Sequence, residues 1–173
     1  VFITHAHPDH VGGLLELMKQ ITVESVFWNG QWPQDDDTAL ALSEIGEMTT
    51  LSVVKPDQKL PLGRTVILRT LKNGLHTGDM NDNSLVFGIE DGKTKVLLPG
   101  DIGHDRQVDL FRSENKWLSS ISFLMWPHHG DTLAVEFSGL LKHVAQCAVS
   151  VGPNSYHLPE PGFNFLLVGT RFD

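Results

Sequence analysis

The sequence VFITHAHPDHVGG at residues 1–13 decides how the rest of the chain is interpreted. It places four side chains, His5, His7, Asp9 and His10, within six positions. His5 and His7 are two residues apart in an extended segment, so their side chains face the same way, and the other two stand at a predicted helix start. Imidazole and carboxylate are the ligands that zinc and similar divalent metals prefer. Four such groups exceed what one ion usually takes from one segment, so we expect two adjacent ions rather than a merely histidine-rich polar loop.

This motif resembles the HxHxDH signature of the metallo-β-lactamase superfamily, including the apolar strand before it and the glycine pair after it. The resemblance implies an α/β fold of the αββα sandwich type. It also implies that His5 and His7 bind the metal of site one, and that Asp9 and His10 bind the metal of site two. We expect two divalent ions, zinc in the first place, with manganese as an alternative.

Two later motifs resemble the same superfamily in the same order along the chain. LLPGD at residues 97–101 resembles the motif in which an aspartate, here Asp101, bridges the two metals. On its own, an aspartate after a strand is more often a simple turn residue. PHHG at residues 127–130 resembles the motif that supplies a further ligand of site two. We favour His129, which directly precedes the glycine, and keep His128 as the alternative.

One expected ligand has no clear counterpart. The third histidine of site one usually lies between the first two motifs, where His76 is the only histidine. NDNSLV at residues 81–86 instead resembles the ComEC/Rec2-like competence branch, which often lacks this histidine, and SVGPNSYH at residues 150–157 resembles that branch loosely. Asp131 after the histidine pair and Leu158 after the last motif depart from the branch pattern.

Together these features predict a metal-dependent hydrolase in which two ions generate a metal-bound hydroxide from a shared water. The likeness to the competence branch favours phosphodiester or nucleic-acid substrates, as for a nuclease. Asp9 and His157 are the candidate catalytic residues. His157 would protonate a leaving group or bind a phosphate oxygen, with a loop histidine of no function as an equal alternative. A lactamase- or lactonase-type hydrolase of small molecules and an inactive metal-binding fragment are the alternative functions.

Length and composition limit the other classes of protein. The 173 residues fit a single metallo-hydrolase domain over residues 1–173. The formal net charge of -8 argues against a broad nucleic-acid-binding surface, because such surfaces are usually basic. A single cysteine, Cys147, excludes an internal disulfide, and no apolar run is long enough to span a bilayer. We expect a cytoplasmic protein.

The first residues of the chain indicate where it begins relative to the fold. Val1 to Ile3 is interpreted as the end of a buried strand, directly before the metal motif. A natural domain rarely begins inside its own active-site strand. We therefore expect a domain that is truncated at its N-terminus and lacks the first strands of the fold. An exposed sheet edge would then favour self-association.

Short apolar runs alternate with helical patterns along the chain, as in mixed α/β proteins. The polar motifs follow predicted strands, where open α/β folds place their sites. Asp91 and Gly92 predict a tight turn between two strands of a hairpin. The predicted strands are Val23–Trp28, Leu51–Val54, Thr65–Leu71, Ser84–Ile89, Lys95–Leu98, Ile121–Met125, Cys147–Val151 and Phe165–Val168. The predicted helices are Val11–Ile21, Thr38–Met48, Asp105–Arg112 and Leu133–Val144.

Overall fold

The computed structural model describes residues 1–71, 78–153 and 155–160, which form a mixed α/β fold with two β-sheets. The smaller sheet contains two parallel strands, β1 (Ser25–Trp28) and β2 (Thr50–Val53). The larger sheet contains six strands in the order β3-β4-β5-β6-β7-β8. These strands are β3 (Lys59–Pro61), β4 (Val66–Thr70), β5 (Phe87–Asp91), β6 (Thr94–Leu98), β7 (Phe123–Met125) and β8 (Gln146–Ala148).

Helices occupy the segments between the strands. The longest begins where Asp35 accepts a hydrogen bond from the backbone N–H of Thr38 at 2.8 Å, as an aspartate at a helix N-cap commonly does. A 3-10 turn at Gly139–Lys142 extends the last α-helix. In the described residues the α-helices are α1 (Pro8–Val11), α2 (Leu14–Met18), α3 (Asp36–Met48), α4 (His104–Leu118) and α5 (Val135–Ser138).

The two sheets face each other across an aromatic layer. Phe27 of β1 stacks on Phe2 with 4.9 Å between ring centroids, and Phe2 meets Phe87 of β5 edge-on at 5.5 Å. Because successive strand residues point to opposite faces, Val26 and Trp28 turn the other way. They are buried in the cluster that the smaller sheet forms with α1, α2 and α3.

The opposite face of the larger sheet is covered by α4 and α5. Leu97 of β6 and Leu124 of β7 are fully buried in one cluster with Leu110 and Trp117 of α4. Gly88 of β5 leaves the space that the indole ring occupies, because a Cβ at this position would approach Trp117 to 2.6 Å. The layers therefore follow the helix–sheet–sheet–helix order of an αββα sandwich, as the sequence predicts.

The polar motifs lie beyond the carboxyl ends of neighbouring strands. Strands β6, β7 and β8 run parallel, so the segments that carry residues 99–101, 127–130 and 150–153 leave the larger sheet at the same edge. The first motif is held to this edge by the carbonyl of Thr4, which accepts a hydrogen bond from the N–H of Leu85 at 2.8 Å. All four motifs therefore meet at one end of the sandwich.

Some predicted elements are wrong in their extent. Two short helices, α1 and α2, replace the predicted helix Val11–Ile21, and they separate at Gly12 and Gly13, where glycine weakens a helix. Helix α5 and the following 3-10 turn replace the predicted helix Leu133–Val144. The sequence pattern does not predict β3, because Lys59–Pro61 is short and contains a proline, which suits only edge strands.

Other predictions are confirmed or refined. Strands β5 and β6 form the predicted antiparallel hairpin, with Gly92 at a φ of 58° in its turn. The strand predicted at Ser84–Ile89 begins only at Phe87, and α4 extends beyond the predicted helix to Leu118. The predicted strand Phe165–Val168 lies outside the described residues. Within the part of the chain that the structure describes, no helix is long and apolar enough to cross a membrane.

Candidate metal centre

Four side chains from three motifs converge at the shared edge. Asp9, His10, Asp101 and His129 each offer one ligand atom, and these four atoms all lie within 4.8 Å of one another. The Nε2 atom of His129 is 3.0 Å from Oδ2 of Asp9 and 3.2 Å from Oδ2 of Asp101. The Nε2 atom of His10 is 3.1 Å from the same Asp101 oxygen. This is the set that the sequence assigns to site two together with the bridging aspartate.

The ring of His129 is held by its other nitrogen. Its Nδ1–H donates to the carbonyl of Ser150 at 2.7 Å, and because a carbonyl only accepts, this nitrogen carries the proton. In the neutral ring, Nε2 therefore has a free lone pair. Nε2 is buried without a hydrogen bond, because a nitrogen that offers only a lone pair cannot donate to the two carboxylate oxygens beside it. An unpaired imidazole nitrogen beside two carboxylates fits the donor set of a divalent cation.

His5 and His7 form a second pair beside this cluster. The Nε2 atom of His5 is 3.0 Å from Nδ1 of His7 and 3.9 Å from Oδ2 of Asp101. Asp101 therefore lies between the two groups, where a bridging carboxylate would stand. In the described ranges, only the first cluster brings three or more ligand-type side chains together. His76, the one candidate for a third histidine of site one, lies outside the described residues.

The charges at the centre suit metal ligands. Burial, reinforced by the nearby His10, lowers the pKa of His5 to about 3, so its ring is neutral at physiological pH. Burial alone would raise the pKa of Asp101, but the hydrogen bond and charge of His10 outweigh it, and the pKa is lowered. Asp101 is therefore ionised. Neutral imidazole and ionised carboxylate are the forms that bind divalent metals.

Unusual backbone conformations shape two of the motifs. Gly100 has a φ of 64°, and a Cβ there would approach that of Ser84 to 2.8 Å. Gly130 has a φ of 101°, and a Cβ there would approach that of Pro159 to 2.4 Å. His129 itself has a φ of 55°, a left-handed conformation that is costly for a side chain other than glycine and is concentrated at functional sites.

The alternative ligand His128 faces a different way. Its Nδ1 atom is 3.0 Å from Oδ2 of Asp131, and its Nε2 atom is 3.5 Å from Nδ2 of Asn81. The structure therefore brings His129, and not His128, to the carboxylates of Asp9 and Asp101. Asp131, which departs from the competence-branch pattern, is the residue that pairs with His128.

An open cleft of about 1290 Å³ leads to the cluster. Tyr156 and Leu158 line it, but His157 between them is exposed and is not among its lining residues. The structure thus does not bring His157 to the ligands, whereas Asp9 lies in both the cleft wall and the cluster. The described lining includes five carboxylates and neither lysine nor arginine. The carboxylates belong to Asp9, Asp35, Asp101, Asp131 and Glu160.

Three further residues support the ligands, and sequence reasoning did not single them out. Ser150 anchors His129 through its carbonyl, and a backbone contact leaves no signal in the sequence. Thr4 and Ser84 place hydroxyl oxygens 3.0 and 3.1 Å from Nδ1 of His5. Their positions inside two recognised motifs are the only sequence signal that would have pointed to them.

Comparison with known families decides the relationship. The model of the metallo-β-lactamase superfamily matches residues 1–142. The chain belongs to this superfamily. Its members' fold binds divalent metals, and the cluster of Asp9, His10, Asp101 and His129 is the candidate metal site of this member. No curated protein matches the sequence.

Several solved structures of the superfamily fold are similar at low identity. Zinc-bound PqqB from Methylobacterium extorquens is 12% identical over 73% of this chain and 40% of that chain, with a TM-score of 0.45. The metallo-β-lactamase fold protein YhfI from Bacillus subtilis is 16% identical over 87% and 66%, with a TM-score of 0.46. A candidate metal-dependent hydrolase from Parabacteroides distasonis is 14% identical over 87% and 76%, with a TM-score of 0.48. The chain thus spans under half of PqqB and about two thirds of YhfI.

Proposed function

We propose that this protein is a metal-dependent hydrolase with two adjacent divalent ions. In this proposal Asp9, His10 and His129 would hold one ion, His5 and His7 would hold the other, and Asp101 would contribute to both. The observation that carries the proposal is the buried, unpaired Nε2 of His129, which lies beside the carboxylates of Asp9 and Asp101. Zinc is the first candidate for both positions. Site one, with the smaller set of ligands, would also admit manganese.

When bound, two divalent ions supply an activated water at neutral pH and offset the negative charge that develops on the attacked group. The protein's own residues supply the geometry. Ser150 fixes the ring of His129, and Asp101 is buried with its carboxylate facing three histidine rings. Asp9 is exposed towards the cleft, so it is the ligand that stands nearest to an incoming substrate. We therefore retain Asp9 as a candidate catalytic residue, and we give His157 no role in the reaction.

For the substrate, we propose a phosphodiester as the first candidate. The support comes from the stretches at residues 81–86, 127–130 and 150–157, which resemble the competence branch. The charge of the cleft restricts this proposal. Of its five carboxylates, two belong to the ligand cluster, which leaves Asp35, Asp131 and Glu160 facing the substrate's flanks. Together with the net charge of -8, this favours a small diester over a long nucleic-acid strand.

A small-molecule lactam or lactone is the second candidate substrate. Two observations favour it: the size of the cleft, about 1290 Å³, and the lack of basic side chains among its described lining residues. A lactam or lactone needs no cationic wall, since the charge that develops in its hydrolysis sits at the attacked carbonyl itself. The same metal centre would serve either reaction, so only turnover separates them.

The test is a comparison of substrates on one metal-loaded preparation. The protein is stripped of metal, reloaded with zinc or manganese, and analysed for metal content. Bis-p-nitrophenyl phosphate and single-stranded DNA are then compared with nitrocefin and a homoserine lactone. We expect turnover of the small diester, little cleavage of DNA, and no turnover in Asp101→Asn. Turnover of nitrocefin or lactone alone would reverse the ranking of substrates. A folded protein that retains no metal would refute the metal centre.

A further inference from the structure

A buried hydroxyl group lies behind two of the proposed ligands. Ser84 is fully buried, and its Oγ atom lies 3.1 Å from Nδ1 of His5. The same Oγ accepts a hydrogen bond from the backbone N–H of Asp101 at 3.1 Å. One side chain therefore contacts a ligand of the first motif and the aspartate of the second, 96 positions further along the chain.

The packing around Ser84 fixes this contact. Gly100 directly precedes Asp101 and has a φ of 64°, and a Cβ on it would lie 2.8 Å from Cβ of Ser84. Only glycine lets the backbone approach so closely. The backbone of residues 100–101 is thus pressed onto Ser84, and its hydroxyl meets the N–H of Asp101 directly.

We propose that Ser84 is a positioning residue of the metal centre, which ties the ring of His5 to the backbone of Asp101. The proposal rests on the proposed binding of two divalent ions. In this proposal Ser84 Oγ accepts the Asp101 N–H with one lone pair and the Nδ1–H of His5 with the other. The Nε2 lone pair of His5 then faces His7 Nδ1 at 3.0 Å and Asp101 Oδ2 at 3.9 Å. Such contacts behind a metal-binding histidine fix its tautomer and its orientation.

Thr4 provides a matched comparison, because it shares only part of these contacts. Its Oγ1 atom is 3.0 Å from Nδ1 of His5 and 3.5 Å from Nδ1 of His10. Both hydroxyls thus reach the same ring nitrogen of His5, but Ser84 also holds the backbone of the bridging aspartate. Because the Ser84 hydroxyl links the two motifs and the Thr4 hydroxyl does not, we expect its loss to weaken metal binding more than loss of the Thr4 hydroxyl.

The experiment measures zinc affinity by chelator competition and isothermal titration in four proteins: the unaltered chain, Ser84→Ala, Thr4→Val and Ser138→Ala. Ser138, at the end of α5, donates its hydroxyl to the carbonyl of Val135 and is not part of the ligand cluster, so it serves as the control for removing a hydroxyl. We expect Ser84→Ala to weaken zinc binding about 10- to 100-fold, with a smaller loss in Thr4→Val and none in Ser138→Ala. Cobalt absorption spectra and circular dichroism show whether the coordination changes while the fold remains.

A second measurement uses the unaltered, zinc-loaded protein and does not depend on a variant that folds. Long-range proton–nitrogen NMR of His5 should show zinc on Nε2 and a protected proton on Nδ1. Zinc bound through Nδ1 would overturn the proposal, as would an unchanged affinity in a folded Ser84→Ala protein while the unaltered chain binds zinc normally. Either result would leave the metal centre itself standing. An unaltered chain that binds no zinc would overturn the proposed function and this inference together.

Discussion

The buried ring of His5 should make the metal-free protein sensitive to mild acid. Its pKa is lowered from 6.5 to about 3 by burial and by the neighbouring His10, whereas in the unfolded chain it titrates normally. Below pH 6.5 the unfolded chain therefore binds a proton that the folded protein does not. A histidine whose pKa is lower in the folded than in the unfolded state destabilises the folded protein as the pH falls. The free energy of unfolding therefore decreases over the range between the two pKa values.

The size of the effect follows from the two pKa values. Each pH unit between them costs about 1.4 kcal/mol, so the free energy of unfolding should fall by about 2.5 kcal/mol between pH 6.5 and pH 4.5. The pKa of His10 is raised, because its hydrogen bond to Asp101 outweighs burial. The stability that His10 contributes is fully present below pH 6.5 and is lost only as the pH rises above that value. The pKa of Asp101 is lowered, so the stability that Asp101 contributes is fully present above pH 3.8 and is lost as the pH falls below that value. Neither changes the slope between these limits.

Urea denaturation of the metal-free protein at a series of pH values measures this slope. With about 2 kcal/mol per molar urea, the midpoint should fall by about 1 M between pH 6.5 and pH 4.5. His5→Gln removes the titrating ring and should flatten the dependence of the urea midpoint on pH, whatever the stability of this variant at any one pH. His104→Gln removes an exposed histidine and should leave the slope unchanged. A midpoint that is constant over this range, or a slope that survives in His5→Gln, would refute the reasoning.

Three further predictions follow from the same geometry. Asp101→Asn should lower the number of bound ions and abolish hydrolysis, as measured by elemental analysis and turnover, while the exposed Asp105→Asn leaves both unchanged. Gly130→Ala should lower the urea midpoint more than Gly92→Ala does, because both have positive φ but only Gly130 packs against Pro159. Burial raises the pKa of Cys147 to about 11, so Ellman's reagent at pH 8 should react about 100-fold more slowly with the folded than with the unfolded chain.

The ligand cluster could be predicted from the sequence, because its chemistry depends on residue type and short spacing. His5, His7, Asp9 and His10 fall in one motif, and a strand before each later motif indicates a common edge. The choice between His128 and His129 depends on the three-dimensional structure. Both are histidines on one tight turn with positive φ, and only the direction of each ring separates them. The contact of Ser150 with His129 could not be predicted from the sequence either, because it is made by a backbone carbonyl, which every residue type carries.

The fold could be predicted in its layers but less well in its element boundaries. A short continuous apolar run indicates a strand such as β1, because Val26 and Trp28 on one face and Phe27 on the other all pack against apolar neighbours. The helices at Val11–Ile21 and Leu133–Val144 have suitable apolar spacing, yet each contains glycine and ends early in the structure. Tertiary packing decides such segments, because short helices gain little from their own hydrogen bonds. β3 escapes prediction for the opposite reason: three residues carry too little pattern.

The ligand side chains are held by contacts that lie away from the atoms that would bind metal. The carbonyl of Ser150 holds Nδ1 of His129, and the hydroxyl of Ser84 holds Nδ1 of His5 and the backbone of Asp101. These anchors leave His129 Nε2 beside carboxylate oxygens 3.0 and 3.2 Å away. A nitrogen lone pair so close to two carboxylate oxygens is repelled by them unless a positive charge lies between them. The contacts that fix the geometry without an ion thus also create the arrangement that a divalent cation would relieve.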